Sequence, residues 1–135
     1  MVTSIQVHKR GGVPLLQFLE DNDFDVAQIT DSVASATRDN ELPVLINHKD
    51  ENIFFEVDIG SAAEVGSQDL FFKLLDANTE ILPVSVGINT SGDDPRLVLV
   101  ESREAENLDE NELLSVINAL ELATDKVEAI LTDHL

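Results

Sequence analysis

The sequence predicts an α+β domain: an antiparallel sheet of about five strands with three helices, in the order α-β-β-β-α-β-β-α. Three observations carry this. Residues 53–59 alternate, with Ile53, Phe55, Val57 and Ile59 interleaved by Phe54, Glu56 and Asp58, the period of a strand with one face on a core and one in water. Residues 113–130 repeat apolar side chains at spacings of three and four (Leu113, Val116, Leu120, Ala123, Val127, Ile130), the stripe of an amphipathic helix. Between them, residues 84–88 and 97–100 are β-type runs separated by the turn-forming stretch TSGDDP at 90–95, as in a hairpin.

The elements follow in order. Residues 1–12 hold His8, Lys9 and Arg10, the basic cluster, then Gly11 and Gly12, and read as a flexible lead-in or a short edge strand. Pro14 suits a first helical turn, and Leu15, Leu16, Phe18 and Leu19 give a short helix ending near Asn22. Over residues 23–40 two signals compete. Val26, Ile29, Val33 and Ala36 have helical spacing, whereas Thr30, Ser32, Ser35 and Thr37 favour strand or loop; the reading adopted is a strand with a turn. LPVLI at 42–46 is a buried-strand run with Pro43 near its start, and KDEN at 49–52 turns into the alternating strand. Ser67 is an N-cap candidate with Asp69 in the first turn, before Phe71, Leu74, Leu75 and Asn78 at helical spacing. Phe72 lies about 100° around the helix from Phe71, so the two do not share one core. The run Leu97 to Val100 is apolar on both faces and calls for cover on its second side. Asp109 with Glu112 makes a capping box, flanked by the staple Leu108–Leu113. Leu114, Ile117 and Leu131 widen the last helix's stripe, which favours packing on a sheet over a coiled coil.

A chain of 135 residues that is 43% apolar can bury a core as one domain, 1–135. The core is aliphatic, because there are six Phe and neither Trp nor Tyr. Twenty-seven acidic residues against eight basic give a net charge of −19, which repels phosphates and anionic lipid and attracts basic partners or cations. A nucleic-acid binder is thereby disfavoured. Acidity also has the plain reading of a solubility device. The absence of cysteine removes disulfides, thiolate catalysis and Cys-based zinc sites. With no apolar run at the N-terminus or of membrane-spanning length, direct membrane insertion is not expected and a cytoplasmic location follows by default.

No catalytic, cofactor or metal site emerges. Asp21, Asp23 and Asp25 open like a calcium loop, but Val26 stands where its Gly is needed and Ser32 where its bidentate Glu is needed. His8, His48 and His134 form no paired metal-binding spacing. Gly11-Gly12 lacks the Lys-Ser/Thr of a phosphate loop, and Ser85-Val-Gly87 lies inside a strand with no His placed by sequence to serve it. The apolar positions Phe54, Phe71, Phe72, Leu114 and Leu131 exceed what one small sheet needs. They mark either a larger core or an exposed strip for homodimerisation or partner capture.

The element order matches the fold of the type III secretion chaperones and the YbjN-like proteins. ELPVLI at 41–46, the strand from Ile53, the helix around Phe71 to Leu75, LPVSVGI at 82–88 and LELATDKV at 120–127 resemble the YjfI-like family of bacterial proteins of unknown function. The resemblance implies no catalytic residue. It implies acidic dimers that hold extended partner segments, and a bacterial envelope-stress setting. The expectation is therefore a non-enzymatic, chaperone-like module without cofactor, a homodimer binding an unidentified protein partner. The alternatives are an acidic nucleic-acid mimic that blocks a basic groove and, behind it, an enzyme or metal protein.

Overall fold

A computed structural model describes residues 2–7 and 13–134. The basic cluster and the glycine pair lie outside the described residues. Of the lead-in read over residues 1–12, the described part packs: Val2, Ile5 and Val7 are buried, and β1 (Gln6–Val7) pairs with β2 (Val13–Pro14). Then come α1 (Leu15–Asp21), β3 (Asp25–Gln28), β4 (Val33–Thr37), β5 (Val44–Lys49), β6 (Asn52–Ser61), α2 (Ala62–Val65), α3 (Gln68–Ala77), β7 (Ser85–Asn89), β8 (Arg96–Glu104) and α4 (Glu110–His134).

β3 to β8 form one antiparallel sheet in the order β3-β4-β5-β6-β8-β7, so β3 and β7 are its end strands. The α+β class stands, while among the described residues this sheet has six strands and the α-helices number four. The extra strand comes from residues 23–40, which form a hairpin. The Thr30 hydroxyl accepts the amides of Ser32 and Val33 at 3.2 and 3.1 Å, so the Ser/Thr density marks the turn between two strands. The helical spacing there was coincidental: Val26 and Ala36 are cross-strand partners and Ile29 is exposed.

Along β6 the alternation holds. Ile53, Phe55 and Val57 are buried beneath the helices, and Phe54 and Asp58 face outward. It breaks at a bulge between Asp58 and Gly60, where φ of +141° at Gly60 is open to glycine. On β8, Leu97 and Leu99 join the core, while Val98 is only 3% exposed and stands outside that cluster. Its cross-strand neighbours are Asp58 and Gly87, so shelter on the second face is real but local.

α4 lies across β6 and β8 and against α3. Asp109 caps it, taking the Glu112 amide at 2.7 Å, and Leu108 and Leu113 are fully buried beside the cap. Leu113, Val116, Ile117, Leu120, Ala123 and Val127 face inward. Thr124 is also buried, its hydroxyl satisfied by the Leu120 carbonyl at 2.7 Å. The helix covers a sheet, as its wide stripe predicts.

Candidate protein-binding groove

Helix α3 begins where Ser67 Oγ accepts the Leu70 amide at 3.1 Å, with Asp69 in its first turn. Its buried side is Leu70, Leu74 and Ala77, not the Phe71, Leu74, Leu75, Asn78 face expected from spacing. The helix is thus rotated about its axis relative to that expectation, and it contacts α4. Leu75 is left 67% exposed and Phe72 72% exposed. Phe71 is half-buried and rests against Gly66, where a side chain would collide with its ring.

The rotation opens a groove of about 410 Å³ between α3 and the end strand β7. Phe71, Leu74 and Leu75 make one wall, and Val86 and Ile88 the other, with Leu97 at its base. Among the described residues that line it, none is charged. Ile88 is 52% exposed. At the strand wall Asn78 Oδ1 accepts the Val86 amide at 2.6 Å.

The five positions singled out as surplus apolar residues do not converge. Phe71 lines the groove and Phe72 projects from the same helix beyond it. Phe54, 41% exposed, lies on the sheet face away from the helices. Leu114 and Leu131 are partly buried against the core. Leu75, Val86 and Ile88 were not singled out. Spacing placed Leu75 on the expected face of its helix and Val86 and Ile88 in a β-type run; the rotation of α3 and the end position of β7 expose them. A second apolar patch surrounds exposed Leu82 and Leu122 over a hollow of about 200 Å³ that shares no residue with the first. Lys126 pairs with Glu80 at its border, 2.6 Å apart.

Acidic residues stand at both ends of the sheet and around Glu41. Asp50 and Glu51 turn at the end of the sheet where Asn52 meets Glu104, whereas Asp93 and Asp94 lie at the opposite end, where Ser61 meets Arg96. Arg96 is clamped by Asp58 and Asp94 at 2.9 and 2.8 Å; hydrogen bonds from the Ser61 hydroxyl and Arg96 hold the Asp94 carboxyl below its usual range. Arg38 bonds Glu121 at 3.0 Å and stacks 4.4 Å from the Phe24 ring centre. Next to it, desolvation and then the charges of Asp125, Glu121, Glu128 and Asp39 raise the Glu41 carboxyl.

Glu101 is the buried acid. Arg103 Nη2 approaches Oε1 to 2.8 Å as an ion pair. Neither carboxylate oxygen has a well-aligned hydrogen bond among the described residues. Desolvation pushes its carboxyl above the usual range, and Arg103 opposes this. The folded state therefore holds this proton more tightly than the unfolded chain, and stability falls as pH rises from the ordinary carboxylate range through the raised folded value. Glu101→Gln is expected to stabilise the protein by on the order of 1 kcal/mol at neutral pH. Below the ordinary carboxylate range the gain should vanish. Urea titrations across pH check this, and a gain independent of pH would contradict it.

His134 Nε2 lies 2.9 Å from Ser67 Oγ, and its Nδ1 lies 3.8 Å from Asp69. Ser67 already serves as the cap of α3, and the contact to Asp69 is longer than a hydrogen bond; this trio ties the start of α3 to the end of α4. His48 lies at the end of β5 beside the turn, and His8 lies outside the described residues. Asp21, Asp23 and Asp25 occupy the end of α1, a left-handed residue and the start of β3. Among the described residues no group of three or more His, Cys, Asp or Glu is placed to hold a metal. No helix there is long and apolar enough to cross a membrane.

The chain is similar in fold to a chain of the heterodimeric complex ExoU-SpcU from the type III secretion system of Pseudomonas aeruginosa. The TM-score is 0.63 at 16% identity, covering 75% of this chain and 84% of that one. It is also similar to YbjN from E. coli, with a TM-score of 0.55 at 16% identity and 87% of each chain covered. Among curated proteins none matches the sequence. The family model CesT_Tir_1 matches residues 15–134, which span every element from α1 to α4. The protein belongs to the CesT_Tir_1 family, whose fold is that of the type III secretion chaperones.

Proposed function

We propose that this protein is a non-enzymatic, chaperone-like module that holds an extended segment of another protein in the groove between α3 and β7. The observation that carries the reading is an end strand lying beside a predominantly apolar groove with no charge among its described lining residues. Such an edge adds a strand from a partner, and the groove then takes every second side chain. Family membership supports it, and so does the ExoU-SpcU structure, which is a heterodimeric complex of a secretion system. The net charge of −19 favours segments flanked by Lys or Arg and makes capture salt-sensitive.

The finer parts of the proposal are a YjfI-like position within the family with its envelope-stress setting, residence in the cytoplasm, and a homodimer. The dimer is assigned to the Leu82–Leu122 patch, which leaves the groove free for the partner segment. Two measurements test the reading. Light scattering should give a mass near twice 14.8 kDa, falling to one chain in Leu122→Lys. Fluorescence anisotropy should show binding of a short peptide of alternating Ile and Ser with Lys at both ends, weakening from low to physiological salt. No binding of that peptide, or equal binding of its Glu-flanked counterpart, would count against the groove and the electrostatics respectively.

A further inference from the structure

The strand wall of the groove is not equally open along its length. In an antiparallel pair the backbone groups of alternate residues face the neighbouring strand and the rest face outward. The Val86 amide points outward, because it donates to Asn78 Oδ1 at 2.6 Å. Ile88, two residues further, presents its amide on the same side. β7 has β8 on one side and, among the described residues, no strand on the other, and an open edge of this kind is a template for another chain.

Asn78 ends α3, with its own amide bonded back to the helix, and its side chain is aimed across eight residues of sequence at β7. It makes the bond to Val86 that the carbonyl of an added strand would make. We propose that Asn78 is a displaceable placeholder at the site of strand addition. Its side-chain oxygen accepts the Val86 N–H while the groove is empty, and it yields that position to a backbone carbonyl of the incoming segment. This rests on the reading of the groove given above and names the residue that sets the threshold for entry.

The occupant is an extended segment of a different protein, apolar at alternate residues and basic at its flanks. A second copy would bring another −19 to a wall that has no cation in its lining. A Lys-flanked segment meets attraction instead. One hydrogen bond replaces another on entry, so the placeholder costs the ligand only the difference between them. Once displaced, the side chain keeps an acceptor and two donors for water.

The test uses the full chain and two variants. In the native protein the Val86 amide is expected to exchange with solvent more slowly than the Ile88 amide. In Asn78→Ala the two should exchange alike, and in Asn78→Asp, which keeps the acceptor, Val86 should stay protected. Slow exchange of Val86 persisting in Asn78→Ala overturns the proposal. With the Lys-flanked Ile/Ser peptide, Asn78→Ala is expected to bind about fivefold tighter than the native protein, and Asn78→Asp no tighter. Equal or weaker binding by Asn78→Ala overturns the placeholder while leaving the groove intact. Binding by none of the three overturns the groove and the placeholder together. New self-association of Asn78→Ala that is abolished by Ile88→Lys would identify a second copy as the occupant and overturn the basic-segment assignment.

Discussion

Ile88→Lys is expected to lower affinity for the Lys-flanked peptide at least tenfold while leaving the fold in place. The residue is half-exposed on an end strand, so its substitution should change stability by no more than about 0.5 kcal/mol. The lysine puts an ammonium into an uncharged groove, where the bound segment would desolvate it without a partner, and it repels the peptide's own lysines. The matched control is Phe54→Lys, a similarly exposed apolar position on the opposite face of the sheet. That variant should bind normally. The reverse pattern, with Phe54→Lys defective and Ile88→Lys intact, would move the site to the open sheet face. Titration of both proteins by anisotropy, with thermal melts alongside, decides it.

Phe55→Ala should be the most damaging single substitution considered, destabilising the protein by about 3–5 kcal/mol. Phe55 is fully buried on a central strand, paired with Ile46 on one side and Glu101 on the other. Truncation loses transfer free energy and leaves a cavity that a sheet pinned by neighbours on both sides cannot close. Phe54→Ala, one residue away, should cost less than about 1 kcal/mol, because its ring is already partly in water. Urea denaturation of the two variants reads the difference directly. Equal losses would mean that the two faces of β6 had been assigned wrongly.

That pair shows how far the sequence carried the fold. The period-two pattern of residues 53–59 identified which Phe faces the core, and it failed only at the Gly60 bulge, where a register shift leaves no trace in periodicity. The caps were equally legible. Ser67 and Asp109 act locally, through amides three residues on. Residues 23–40 were legible only in part, since a hairpin turn built by Thr30 is spelled with the same residues as an irregular strand.

The site was less legible than the fold. Of Phe54, Phe71, Phe72, Leu114 and Leu131, Phe71 lines the groove, and Leu114 and Leu131 pack against the core. Counting surplus apolar residues cannot separate a larger core from an exposed wall, because both consist of the same side chains. Local sequence determined the α+β class, the helix caps, the inward face of β6 and the acidic charge, since these depend on neighbours one to four residues away. The tertiary structure decided that β7 is an end strand and which side of α3 faces the core, leaving Leu75 outward. These are consequences of strand order and helix docking, set by contacts between segments tens of residues apart.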